Sequence, residues 1–238
     1  MSKRFYEEDI KELILNKQHL FVSNTDESTV LFEKAISVGS TIADCLIFSR
    51  EKGIIGIEIK TERDSTRRLN KQLQNYSLVC DKVYVMCHDN HVEKVEKILS
   101  KNNWNHVGIL AYTEFRGEAI LGLYKAPTRS PFKKVFTAYQ MLWKEEISNI
   151  LGSFKRQMKT LEEFGISVNM TESRSGGLNG LYVQSNASKK YLKKSQMIGM
   201  IISRLGEAEA NTLLCNIFIS GKMHPEKQLK FYHFRKKS

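Results

Sequence analysis

The stretch that most restricts what this chain can fold into is Thr41–Lys60, TIADCLIFSREKGIIGIEIK. Two apolar, β-rich runs flank a short polar turn, Arg50-Glu51-Lys52-Gly53, whose glycine can take the positive φ such turns need. The first run carries one acid, Asp44, where a buried strand ordinarily carries none. In the second run Glu58 and Lys60 are two residues apart, so they share one strand face while Ile57 and Ile59 share the other. A three-residue loop centred on Glu51 pairs positions whose numbers add to 102, which sets Asp44 opposite Glu58. Two facing carboxylates repel unless a cation lies between them, and their hard oxygens suit a divalent ion. Such an ion polarises a phosphate and lowers the pKa of a water, while a nearby lysine orients that water or steadies developing charge. Phosphodiester hydrolysis is the chemistry that fits. An E-x-K on a strand is equally the pattern of a solvated edge ion pair, so the flanks must discriminate.

After Lys60 come polar residues with a helix-capping candidate, Asp64 or Ser65, and the pattern predicts a helix through about Cys80. Leu69, Gln72, Leu73, Tyr76 and Cys80 follow the three-four spacing of one face, so Gln72 and Tyr76 stack one turn apart. A glutamine and a tyrosine on that face need polar partners, which the hairpin's charges can supply. The series Asp44, Glu58-x-Lys60, Gln72-x-x-x-Tyr76 resembles the active-site series of the PD-(D/E)xK nuclease superfamily, and the helix is similar to that of its RecB-type members. The wording from IADCLIF through GIEIKTERDSTRRLNKQLQNY to DKVYVMC is similar to that of a small group of bacterial and phage-borne members. Ala43 stands where the superfamily commonly has proline. The resemblance covers about residues 5–125. It implies a restriction-endonuclease-like fold and a deoxyribonuclease dependent on Mg2+ or Mn2+. It implies catalytic roles for Asp44, Glu58, Lys60, Gln72 and Tyr76. It further implies that Asp44, Glu58 and the backbone carbonyl of Ile59 hold the metal, with Glu33 as the upstream acid that many members carry.

Charge placement separates the 238-residue chain into two halves. Up to Ala126 there are 18 basic and 18 acidic residues; from Pro127 onward 19 basic against 8 acidic residues carry the whole net charge of +11. A neutral half joined to a strongly basic one suggests a catalytic module, 1–126, followed by a module, 127–238, that grips a polyanion. DNA is the expected partner, with RNA as the alternative. Pro127 and Pro131 bracket KAPTRSPF, which reads as the linker. No window approaches the length of an apolar membrane span, and the opening MSKRFYEEDIKE runs straight into acids, unlike a secretory signal. Cys45, Cys80, Cys87 and Cys215 lack paired spacing, which suggests reduced thiols and a cytoplasmic setting.

Taken in order, a helix over 5–18 precedes a strand over Thr29–Ser37 and the hairpin. After the Gln72 helix come a strand, Lys82–Cys87, parallel to its neighbour, and a helix, His91–Asn102. Two more strands, Val107–Thr113 and Glu118–Tyr124, flank a Phe115-Arg116-Gly117 turn. The order α-β-β-β-α-β-α-β-β predicts an α/β, restriction-endonuclease-like mixed sheet flanked by helices, followed by a mainly α-helical C-terminal region. In that region Phe132–Phe154 keeps helical spacing throughout, and a second helical piece ends near Phe164. A helix capped by Asn186 or Ser188 would carry Lys189, Lys190, Lys193 and Lys194 in its first turns, with a further helix over about 207–219. The tail interleaves Phe231, Tyr232 and Phe234 with Arg235 and Lys236, a pattern that suits stacked bases beside phosphates as well as a simple anchor. Arg67 and Arg68, near the start of the Gln72 helix, are further candidates for phosphate contact. Cys87-His88 and His91 lack the second pair a zinc site needs, and SRSGGLNG (173–180) lacks the strand and Lys-Ser/Thr of a nucleotide-binding P-loop.

Overall fold

A computed structural model describes residues 5–37, 41–155, 168–172, 178–185 and 188–220. Its chain divides into two compact units, Met1–Met141 and Leu142–Ser238. In the first unit the hairpin forms in the register its turn length dictates. Strand β2 (Thr41–Ser49) runs antiparallel to β3 (Gly53–Lys60), with Cys45 opposite Ile57 and Ser49 opposite Gly53, leaving Arg50-Glu51-Lys52 as the loop. Gly53 takes the positive φ of 77° that closes it. Ahead of them, α1 (Glu7–Asn16) starts on three acids that favour the helix macrodipole, and β1 (Ser28–Ser37) pairs antiparallel with β2.

Helix α2 (Leu69–Val79), entered through a 3-10 turn at Thr66–Arg68 that Ser65 caps, crosses back to β4 (Lys82–His88), which is parallel to β3. Helix α3 (Val92–Lys101) makes the next crossover to β5 (Gly108–Phe115), parallel to β4, and β6 (Glu118–Lys125) returns antiparallel. The result is a six-stranded mixed sheet in the order β1-β2-β3-β4-β5-β6, flanked by helices, as the periodicity predicts. One face is a continuous apolar layer in which Ile10, Ile14 and Phe21 pack on Cys45, Ile47, Ile57, Ile59, Tyr84, Met86 and Tyr112. Strand alternation therefore sends Glu58 and Lys60 to the opposite face.

Residues 127–134 do not behave as a linker. Ser130 donates its N–H to Asp81 O (2.8 Å) and its hydroxyl to Ser77 O (2.7 Å), Lys134 N–H reaches Leu78 O (2.9 Å), and Lys133 pairs with the Asp81 carboxylate. Prolines here shape a strap hydrogen-bonded to the end of α2, so the first unit extends to Met141 rather than ending at Ala126. The long helix expected over 132–154 is also broken, into α4 (Val135–Tyr139) and α5 (Lys144–Lys155). Glu146 accepts the backbone N–H of Trp143, and Glu145 and Glu146 occupy the first turn of α5, so a new helix starts where apolar spacing alone reads as continuous.

In the second unit α5 lies against α6 (Lys194–Leu205) and against β8 (Leu178–Ser185), the middle strand of a three-stranded antiparallel sheet with β7 (Val168–Glu172) and β9 (Ser188–Tyr191). Residues 178–180 thus open a strand instead of belonging to a loop. Helix α7 (Glu207–Ser220) follows α6 through Gly206, whose φ is 78°. Its Ala210, Leu213, Leu214 and Ile217 are buried. The region is mainly helical, as expected, but the small sheet is an addition. Among the described residues no helix is long and apolar enough to cross a membrane.

Candidate functional site

Asp44 is the residue of β2 that lies one step beyond the Cys45–Ile57 pair, and Glu58 is its counterpart on β3. Asp44 Oδ2 accepts the N–H of Ile59 at 2.7 Å, which ties the first acid to the strand bearing the second. Glu58 has no exposed surface, and its Oε1 takes Lys60 Nζ at 2.5 Å. Lys60 is itself buried. The other oxygen of Glu58, Oε2, is buried and has no hydrogen-bond partner. On α2, Gln72 Oε1 is likewise buried and unpartnered.

Tyr76 closes this arrangement. Its ring is fully buried, its hydroxyl oxygen accepts the N–H of Asp44 at 2.8 Å, and its proton points within 3.4 Å of Ile57 O. The ring packs against Gly56. A Cβ built at that glycine would come within 2.5 Å of Tyr76 Cδ1 and 2.7 Å of Cys80 Sγ, far inside contact distance. A strand glycine is a mark of close approach, and this one was the available sequence signal for the Tyr76 seat.

Burial decides the electrostatics. It pushes the Asp44 carboxyl up to about 7, helped by the charge of Glu58 and opposed by the Ile59 N–H and by Lys60. Burial also raises Glu58, against the pull of Lys60 and of the neighbouring Tyr76 and Asp44 side chains. Tyr76 is held protonated by burial and by both acids. A carboxylate oxygen with no donor, beside a second acid that resists ionising, marks a cluster with more negative charge than one lysine offsets. Two carboxylates form a pair of hard oxygen donors, which suits a divalent cation of the Mg2+ class.

The other expected site residues divide. Glu33 stands on β1 between the Phe32–Cys45 and Lys34–Ala43 pairs, across from Asp44, but its side chain goes to Lys11. It sits at a φ of 55° in β1, its side chain is two-thirds exposed, and its carboxylate binds Lys11 Nζ at 2.6 Å. The strand irregularity at that position, invisible in the residue pattern, redirects it; among the described residues no three acids, histidines or cysteines converge as a metal cage. Glu7, on α1, is instead an acid whose charge acts on Asp44, and an acid in a first helical turn gave no particular signal of it. Ile59 contributes its N–H as described, and its side chain is core. Arg67 and Arg68 are exposed at the 3-10 turn before α2. Lys189 and Lys190 lie on β9, paired with Gln184 and Val183, not on a helix. The alternation of SKKY pairs with β8, so the helix starts only at Lys194, with Lys193 at its cap. Arg235 and Lys236 lie outside the described residues, as do the helical piece expected near Phe164 and most of 173–180. His91 Nε2 contacts the carbonyls of Thr61 and Glu62, and Cys87 is a buried thiol that burial pushes up to about 12. All four cysteines are outside disulfides.

Fold and site together define an α/β protein whose mixed sheet carries a buried Asp-Glu-Lys cluster under a helix-borne tyrosine. The family model for bacteriophage P4 protein cII matches residues 1–206, and the chain belongs to that family of phage proteins. A comparison with curated proteins finds no match.

Proposed function

We propose that the chain is a metal-dependent nuclease of the PD-(D/E)xK type, hydrolysing phosphodiester bonds in DNA. The observation that carries this reading is the unpartnered Glu58 Oε2, set beside Asp44 and a lysine already placed on Oε1. Asp44, Glu58 and the Ile59 carbonyl would hold Mg2+ or Mn2+, which when bound supplies polarisation of the phosphate and a water of lowered pKa. Lys60, steadied by Glu58, has N–H groups left to orient a water or meet charge developing on the phosphate. Tyr76 fixes the backbone of Asp44 from beneath. Gln72 offers its amide to the same face of α2. The basic residues of 127–238 supply sequence-independent contact with phosphates, so affinity falls steeply with salt. Thiols outside disulfides suit action in the cytoplasm.

A second reading, a nucleic-acid-binding protein that keeps the fold without cutting, is favoured by the convergence of only two carboxylates among the described residues. Incubation of plasmid and oligonucleotide DNA with Mn2+ or Mg2+ separates the two. Wild type should cut and Asp44→Asn should not. An unaltered substrate with wild type, at full DNA binding, establishes the second reading instead.

A further inference from the structure

Lys60 spends one N–H on Glu58 and is itself buried, so it offers little of the surface contact that holds a substrate backbone. The chain immediately after it, Thr61–Arg68 (TERDSTRR), supplies three arginines that can make it. Arg63, Arg67 and Arg68 are all exposed, and none of them has an ion-pair or side-chain hydrogen-bond partner among the described residues. Glu62 and Asp64 offset two of the three arginine charges, so the loop keeps one net positive charge, and Asp64 Oδ2 accepts the N–H and the hydroxyl of Thr61, each at 2.7 Å.

The loop is also held in shape. His91, on the turn after β4, places Nε2 3.0 Å from Thr61 O and 3.1 Å from Glu62 O. Both neighbours are acceptors, so Nε2 carries the proton and one N–H clasps two carbonyls. Asp64 fastens the other side of Thr61, and Ser65 Oγ takes the N–H of Arg67 at 3.3 Å. Fixing a surface loop ahead of binding removes the ordering cost that a mobile one meets on contact. Arginine at such a place can meet a phosphate with two parallel hydrogen bonds.

We propose that Thr61–Arg68 is a preset phosphate clip in which Arg63, Arg67 and Arg68 hold the nucleic-acid backbone beside Lys60, with His91 as the positioning residue that keeps the loop in shape. The clip rests on the nuclease reading only for the class of its ligand. Its test is the binding of the full chain to a fluorescent 20-base-pair duplex in EDTA, across a salt series, so that no cleavage is involved. The triple variant Arg63→Ala, Arg67→Ala, Arg68→Ala should bind about tenfold or more weakly near 0.1 M salt, with the log–log salt slope reduced by about two to three. Arg63→Ala alone should reduce that slope by about one, and Lys101→Ala, on the exposed face of α3, by none. His91→Ala should weaken binding and speed tryptic cutting after Arg63, and His91→Gln, which restores an N–H donor, should reverse both. A triple variant with the affinity and slope of wild type, or a wild type that binds no duplex, overturns the clip. An unchanged tryptic rate in His91→Ala removes the role of His91. A wild type that grips DNA through these arginines yet never cuts it sinks the hydrolase and leaves the clip standing.

Discussion

Two clusters on the first unit each bury a lysine, and they differ in where the acids around it lie. At Lys11 the cation is buried and its acids are outside: Glu7, Glu8 and Glu33 reach it at 3.2, 2.8 and 2.6 Å while keeping much of their surface in water. The bond to Lys11 holds Glu33 below the usual carboxylate range. At Lys60 the acid is inside, wholly buried, with one oxygen bonded and one not, and a second acid stands opposite. Solvated acids around a cation make a finished clasp, here fastening α1 to β1. Acids that outnumber their cation leave a charge that a proton or a ligand can meet. The same residue types thus mean different things according to whether the acids are in water.

The sharpest way to break this contrast is to remove the acid or the lysine at the second cluster. Asp44→Asn and Lys60→Ala should each lower cleavage by about 10²–10³-fold or more, measured on plasmid DNA with Mn2+. Only Asp44→Asn should also abolish Mn2+ binding in calorimetry, and Lys60→Ala should leave DNA affinity nearly intact. Equal loss of cutting and binding in Lys60→Ala would make that lysine a docking cation.

Next in size is Gly56→Ala, which drives a methyl into the Tyr76 ring and Cys80. Overpacking of this kind costs about 1–3 kcal/mol, read as a lower midpoint in denaturant, and cleavage should fall with it. A fully stable variant would show that the ring is not seated as described.

The pH dependence is the third test. Asp44 titrates near 7 when folded, above its ordinary value of 3.8, so between those limits the folded protein keeps a proton that the unfolded chain has lost. In EDTA, thermal stability should therefore fall as pH rises from about 4 to about 7, and Asp44→Asn should flatten that part of the profile. Mn2+ should recover stability at neutral pH, because it binds only the folded site. The smallest effect is expected at the finished clasp. Glu33→Ala should leave cleavage and Mn2+ affinity unchanged, and a loss of either would return Glu33 to the site.

The hairpin was legible because its register follows from arithmetic that residues alone supply: loop length, one glycine, and the two-residue period that puts Glu58 with Lys60. The α2 face and the parallel step to β4 were legible for the same reason, since period and crossover length leave few alternatives. Glu33 was not, because a single residue at positive φ re-aims a side chain without changing the pattern around it. The break before α5 hid inside an apolar spacing that runs on across Trp143, and only the capping role of Glu146 declares it. Lys189 and Lys190 read as helical because Asn186 or Ser188 offers a cap just ahead of them, whereas pairing with β8 decides their state. The strap over 127–134 looked like a linker because prolines and a serine signal irregular backbone, not whether that backbone is bonded to the core.

The bare Cα of Gly56 ties positions 56 and 76 to one another sterically. A side chain acquired at the first presses on the ring at the second, and a smaller residue there gives up the hydroxyl that anchors Asp44. Among descendants of this chain, glycine and tyrosine should accordingly be kept or discarded together, and a sequence showing one without the other should have given up the site as well.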